Sequence, residues 1–128
     1  DAARRFDAVL VLKGNTTIVA APDGLVLVNP ARSSWPATAG SGDVLTGMLG
    51  ALLAAGLEPV MAAAAAVHAQ ELAAALAARG GAGAGGAGLG GESSGAPAPA
   101  SAIQAALSDA IRALRSAAHR LGDTGEAG

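Results

Sequence analysis

The sequence contains no cysteine, and aromatic residues make up only 2% of it. Disulfide frameworks and thiolate metal sites are therefore excluded. Because 52% of the 128 residues are hydrophobic, the chain can bury a core, but that core has to consist of alanine, valine and leucine. A formal net charge of −2 at pH 7 offers no basic surface for nucleic acid. The composition is that of one small domain, or of part of a larger one.

Long apolar runs, metal-ligand clusters and P-loop signatures are also missing. The run over residues 44–57 stops short of the roughly 18 residues that a membrane span needs. His, Asp and Glu do not cluster at metal-ligand spacing. The dinucleotide pattern G-x-G-x-x-G occurs over residues 83–88, but it follows an alanine-rich helix instead of a strand, so we interpret it as chance. We expect a cytoplasmic protein with no membrane contact and no metal site of its own.

Strand and helix patterns alternate along the chain. Residues 7–13 form a continuous apolar run typical of a strand covered on both faces. Residues 16–28 predict a hairpin, since two β-branched runs flank Pro22-Asp23-Gly24, a sequence typical of a turn. Helices are predicted over residues 43–55, over residues 59–78 and from residue 101.

The most informative stretch is Thr38-Ala39-Gly40-Ser41-Gly42-Asp43, which directly precedes a predicted helix. Its two glycines let the backbone approach a ligand closely. The first N–H groups of a helix lack internal partners and lie at the positive end of its dipole. Gly40, Ser41 and Gly42 are therefore candidates for an anion hole, with Asp43 facing the anion. Taken alone, these four residues are interpreted equally well as an ordinary turn that is followed by an aspartate in the first turn of a helix.

A second candidate element is Lys13-Gly14-Asn15-Thr16-Thr17, at the end of the first predicted strand. Carboxyl ends of parallel strands are where open α/β sheets bind ligands. A lysine there can pair with a nucleotide phosphate, and the threonine hydroxyls can donate hydrogen bonds. Taken alone, these residues also fit a surface lysine at a strand–turn–strand joint.

Together the two elements resemble one family. The string TAGSGDVLTG over residues 38–47 is similar to the signature of the ribokinase-like superfamily. The Lys-Gly-x-x-Thr strand end, the hairpin and the alanine-rich helices narrow the resemblance to the ADP-dependent NAD(P)H-hydrate dehydratases, the YjeF C-terminal type. It covers residues 6–79 well and 101–118 weakly. It implies an α/β fold, a ribokinase-like layered sheet with flanking helices, present only as its C-terminal half.

The resemblance also implies roles for individual residues. Asp43 would contact the hydrated nicotinamide substrate and act as the catalytic base. ADP would be the co-substrate, any Mg²⁺ would arrive with its phosphates, and the reaction would convert NADHX or NADPHX to NAD(P)H with release of AMP and phosphate. The resemblance leaves open whether the protein self-associates and whether an epimerase is fused to it or separate. The residues expected to bind the nucleotide are Lys13, Gly14, Asn15, Thr16, Thr17 and Gly42.

Two other interpretations stay open at this stage. A small-molecule kinase of the same superfamily, of the thiazole or pyrimidine type, shares the Gly-x-Gly-Asp signature. The second interpretation is an inactive fragment that only binds nucleotide, because the first half of the family domain is absent. We expect the isolated chain to be unstable or inactive. Departures from the family pattern lie at residues 29–34 and at Gln70-Glu71. His68 is interpreted as a packed or partly exposed helix residue, and Trp35 as a residue that anchors its loop in the core.

The predicted organisation has four parts. The first is the catalytic, nucleotide-binding part of the dehydratase domain, and a Gly/Ala/Pro-rich linker or insertion follows it. A terminal helix of the same domain and a disordered tail complete the chain. In order, these parts are residues 1–79, 80–100, 101–121 and 122–128.

Overall fold

The computed structural model describes residues 1–30, 37–80 and 98–125. Within these ranges the strands form one antiparallel sheet in the order β1-β2-β3, and helices pack against it, so the fold is α/β. The elements in chain order are α1 (Ala2–Phe6), β1 (Leu10–Leu12), β2 (Thr16–Ala20), β3 (Val26–Pro30), α2 (Ser41–Ala54), α3 (Pro59–Gly80) and α4 (Ala100–Gly125).

The predicted hairpin over residues 16–28 is confirmed. β2 and β3 pair antiparallel, with Val19 opposite Leu27. The turn between them is closed by a hydrogen bond from the Ala21 N–H to the Leu25 carbonyl, at 2.9 Å. Gly24 takes a φ of 100°, a left-handed conformation that glycine adopts without a steric penalty. The Pro-Asp-Gly sequence thus closes the hairpin as its turn chemistry predicts.

The prediction that the first strand is covered on both faces is wrong for the described residues. β1 lies at the sheet edge, and Val11 packs towards the helices while the neighbouring Leu12 is 67% exposed. Leu12, Ile18 and Val28 are register partners across the three strands, so they share the outer face. A hairpin and helices on one side supply only one covering layer, which leaves this outer face without a described partner.

α3 is the central helix of the structure. Its first half packs against the sheet and α2, and its second half packs against α4. The helices approach closely because most buried side chains of α3 are alanine, such as Ala66 and Ala74, both fully buried. The aliphatic core that the composition predicts is confirmed. By length and composition α3 could also cross a membrane, but 56% of its most apolar window is buried, as in a core helix.

Several element boundaries differ from the predicted ones. α1 was not predicted, and α2 begins at Ser41 instead of Asp43. α4 continues to Gly125, into the segment predicted as a disordered tail. Most of the predicted linker, residues 81–97, lies outside the described residues. So do residues 31–36, which include Trp35, and residues 126–128.

Candidate functional site

The structure brings the two sequence elements together. Lys13 directly follows β1, and Ser41 is the first residue of α2. The Lys13 Nζ donates a hydrogen bond of 3.1 Å to the Ser41 Oγ, across 28 positions of sequence. The strand end and the helix start therefore form one site, with a lysine ammonium beside the positive end of a helix dipole. This arrangement favours an anion.

The backbone at the start of α2 is built around Gly40. Gly40 is the N-cap residue and has a φ of 83°. Its carbonyl accepts hydrogen bonds from the N–H groups of Asp43, at 3.1 Å, and Val44, at 3.3 Å. The Gly42 N–H donates to no acceptor among the described residues, and a Cβ placed on Gly42 would meet no atom within 4 Å. This amide is therefore open to an incoming ligand.

Replacing Gly40 should destabilise the protein even when no ligand is present. In Gly40→Ala, the residue would keep a left-handed φ, and its Cβ would lie 3.1 Å from the Ala100 Cβ. We expect the free energy of unfolding to fall by about 1–2 kcal/mol. Gly47→Ala is the matched control, since Gly47 lies within α2 with open space around it and alanine should stabilise the helix by about 0.5–1 kcal/mol. Urea unfolding of the two variants measures both values, and equal shifts would contradict the role of Gly40.

Asp43 lies in the first turn of α2, next to the open Gly42 amide. Its side chain is exposed and has no hydrogen-bond or ion-pair partner in the described part of the chain. The structure thus places the predicted catalytic carboxylate at the predicted helix end, where it can reach a bound molecule. Asp43 does not line the cavity described below.

The remaining residues of the Lys13–Thr17 element divide into two groups. Gly14, Asn15 and Thr16 are exposed, and they follow Lys13, which bonds to Ser41. Thr17 is only 3% exposed and sits opposite Asn29 in the sheet, on the face that packs against α3. The predicted nucleotide-binding residues are therefore close in space, but the Thr17 side chain faces the interior.

An apolar cavity of about 220 Å³ opens between the hairpin and α3. The Asn29 Nδ2 is buried and has no hydrogen-bond partner among the described residues. His68 stands at this cavity with an exposed side chain, and the sequence predicts a packed or partly exposed helix residue at this position. The cavity is lined by Val19, Leu27, Val28, Asn29, Ala64, Val67 and His68. It thus combines apolar walls with one amide able to donate to a ligand.

Gln70 is the site residue that sequence reasoning missed. It is 2% exposed, and its side-chain Nε2 donates a short hydrogen bond to the Ser41 carbonyl. In sequence it stands out only as a departure from the family pattern. Its position three and four residues after Val67 and Ala66, and three and four before Ala73 and Ala74, places it on the buried stripe of α3. In the sequence, the available signal was only a long polar side chain in an alanine-rich helix, because the sequence does not show which stripe of α3 is buried.

The described residues contain no group of three or more His, Asp or Glu side chains able to hold a metal ion. The site is thus a helix N-terminus on an α/β domain, beside a lysine and an exposed carboxylate, and its polarity favours an anion.

Comparison with known proteins gives this site a family. Residues 1–89 match the NAD(P)H-hydrate dehydratase family, and the chain belongs to it. Over 76 residues it is 57% identical to the bifunctional NAD(P)H-hydrate repair enzyme Nnr of Mycobacterium leprae, covering 59% of this chain and 16% of that protein. Over 61 residues it is 54% identical to the ADP-dependent (S)-NAD(P)H-hydrate dehydratase of Neisseria meningitidis, covering 48% of this chain and 20% of that protein. The matched segments thus span a fifth or less of these relatives.

Proposed function

We propose that the protein to which this chain belongs dehydrates NADHX or NADPHX to NAD(P)H, consuming ADP and releasing AMP and phosphate. The observation that carries the proposal is the Lys13–Ser41 hydrogen bond, which joins the strand end to the start of α2 beside Asp43. Family membership supports the chemistry, since a relative at 54% identity is named an ADP-dependent dehydratase.

The mechanism begins with a proton transfer. The hydroxide of the hydrate is a poor leaving group, and phosphorylation converts it into a good one. Asp43 takes the hydroxyl proton, and the oxygen attacks the β-phosphorus of ADP, so that AMP leaves. Lys13 and the N–H groups of Gly40 and Gly42 stabilise the charge on the transferred phosphoryl group. Phosphate then departs with its bonding electrons, the adjacent carbon loses a proton, and the ring double bond forms.

The cavity beside β3 supports binding of the nucleotide base. It lies one strand away from the Lys13–Thr17 element, because Asn29 on its wall is the register partner of Thr17. Apolar walls suit the faces of a flat ring, and the Asn29 amide can donate to a ring nitrogen. In this arrangement the base enters the cavity while the phosphates extend towards the start of α2.

The finer properties of the full protein are part of the same proposal. We take the three strands and their helices to be the C-terminal half of a ribokinase-like layered sheet. Mg²⁺ would be held by ADP phosphate oxygens and water, since the described residues contain no group of three or more His, Asp or Glu side chains able to hold a metal ion. The relatives named bifunctional support a second repair activity, which we take to be an epimerase, fused or separate. A cytoplasmic location and self-association complete the proposal.

A chimeric enzyme tests the proposed function directly. The segment of the Mycobacterium leprae repair enzyme that matches this chain is replaced by the corresponding residues of this chain. With NADHX and ADP, we expect equal amounts of AMP, phosphate and NADH. The same chimera is incubated with hydroxyethylthiazole and ATP. A folded chimera that phosphorylates the thiazole alcohol and leaves NADHX unchanged would favour the kinase and overturn the proposal.

A further inference from the structure

Gln70 is tied to the peptide unit that presents the open amide of the site. Its side chain is buried at 2% exposure in the second half of α3, and its Nε2 donates to the carbonyl oxygen of Ser41. That carbonyl and the Gly42 N–H belong to the same peptide unit. The structure contains no cis peptide bond in its described part, so the two groups point in opposite directions. A donor that holds the carbonyl therefore also sets the direction of the N–H.

We propose that Gln70 is a positioning residue, which holds the Ser41–Gly42 peptide so that the Gly42 N–H faces the phosphates of the bound nucleotide. The proposal rests on the proposed function for the identity of the ligand. Gln70 itself acts from behind the helix and touches no substrate. A carbonyl has two lone pairs, so Ser41 can accept from Gln70 and also keep its bond within α2.

Two further features support a role for the Ser41–Gly42 peptide in positioning the Gly42 N–H. Ser41 receives a second bond from outside its helix, because the Lys13 Nζ donates to its side-chain oxygen. The start of α2 is thus held by two hydrogen bonds, one from Lys13, which follows β1, and one from Gln70 of α3. A hydrogen bond to a carbonyl also polarises the N–H of the same peptide, which makes that N–H a better donor to an anion. Gln70 thereby affects both the direction and the strength of the Gly42 donor.

The test uses ¹⁵N-labelled full chain and compares Gln70→Met with Gln70→Glu. Methionine keeps the length of the side chain and removes the donor, and glutamate keeps its shape while presenting an acceptor. We expect the Gly42 amide resonance to move in both variants before any ligand is added. ADP affinity should fall about tenfold or more, while adenosine, which lacks phosphates, should bind within twofold of the unchanged chain. Gln104→Met on α4, whose side chain is exposed, is the matched control.

The outcomes separate the positioning role from a merely structural one. If ADP and adenosine lose affinity equally, or if Gln104→Met has the same effect, Gln70 only supports packing and the proposal is overturned. An unmoved Gly42 resonance in both variants overturns it as well. If the unchanged chain binds no ADP and the chimeric enzyme releases no AMP from ADP with NADHX, the proposed function fails instead. The Gly42 resonance of the ligand-free variants then still decides the positioning role. If Gln70→Met does not fold, the same comparison is made with Gln70→Glu.

Discussion

Asp43→Asn in the chimeric enzyme should lower kcat for NADHX dehydration by roughly 10²- to 10⁴-fold, the usual contribution of a general base. Asparagine has nearly the same shape but cannot accept the hydroxyl proton. Because the Asp43 side chain is exposed and holds no other described group in place, the fold should not change. ADP affinity should stay within about twofold, since the backbone amides and Lys13 still bind the phosphates. Initial rates of AMP release measure the first effect, and calorimetric titration with ADP measures the second.

Asp7→Asn is the matched control for this prediction. Asp7 is also exposed, and it is the C-cap residue of α1. Its φ of 47° is left-handed, a conformation that asparagine tolerates well. The control variant should retain full activity. Substantial turnover by Asp43→Asn would mean that another group removes the proton, and a large loss of ADP affinity would assign Asp43 to binding instead of catalysis.

Local patterns were enough to predict much of the fold. The Pro-Asp-Gly turn between two β-branched runs specifies the hairpin, because turn chemistry and register act over a few residues. The start of α3 follows from Pro59, and the structure adds the Glu58 carboxylate, which accepts from the N–H groups of Val60 and Met61. These features depend on neighbours in the chain, which the sequence displays directly.

Coverage of the sheet was predicted incorrectly because it depends on layers that are distant in sequence. A continuous apolar run such as residues 7–13 is typical of a strand buried on both sides, but the run itself does not say which layers are present. In the described residues, α3 packs against one face, and Leu12 and Val28 stay exposed on the other.

The candidate site was predictable in part, for a different reason. Resemblance grouped Lys13 with Gly42 and Asp43, and the Lys13–Ser41 bond shows that the two elements meet. Gln70 escaped because α3 has alanine on nearly every side, so the sequence has little contrast between a buried and an exposed stripe. Without that contrast, the direction of a single polar side chain depends on tertiary packing, and only coordinates show that it reaches Ser41.

Lys13→Met should weaken binding of ADP to the full chain by about 1.5–3 kcal/mol, the typical contribution of a hydrogen bond to a charged group, or roughly 10- to 150-fold in Kd. Methionine is similar in length and keeps the apolar stem, but it removes the ammonium that meets the start of α2. Adenosine carries no phosphate, so its affinity should change less than about twofold if the lysine acts on charge. Titration with both ligands at low and high salt measures the effect.

The salt dependence of ADP binding distinguishes more sharply whether Lys13 binds phosphate or only holds α2 in place. ADP binding by the unchanged chain should weaken as ionic strength rises, and this dependence should be smaller in Lys13→Met, because one attractive charge at the phosphates is gone. Arg79→Met is the matched control, since it makes the same change of charge at the exposed last turn of α3. If both variants weakened ADP binding equally, the loss would reflect net charge alone. If Lys13→Met weakened adenosine and ADP equally, the lysine would be holding α2 in place instead of binding phosphate.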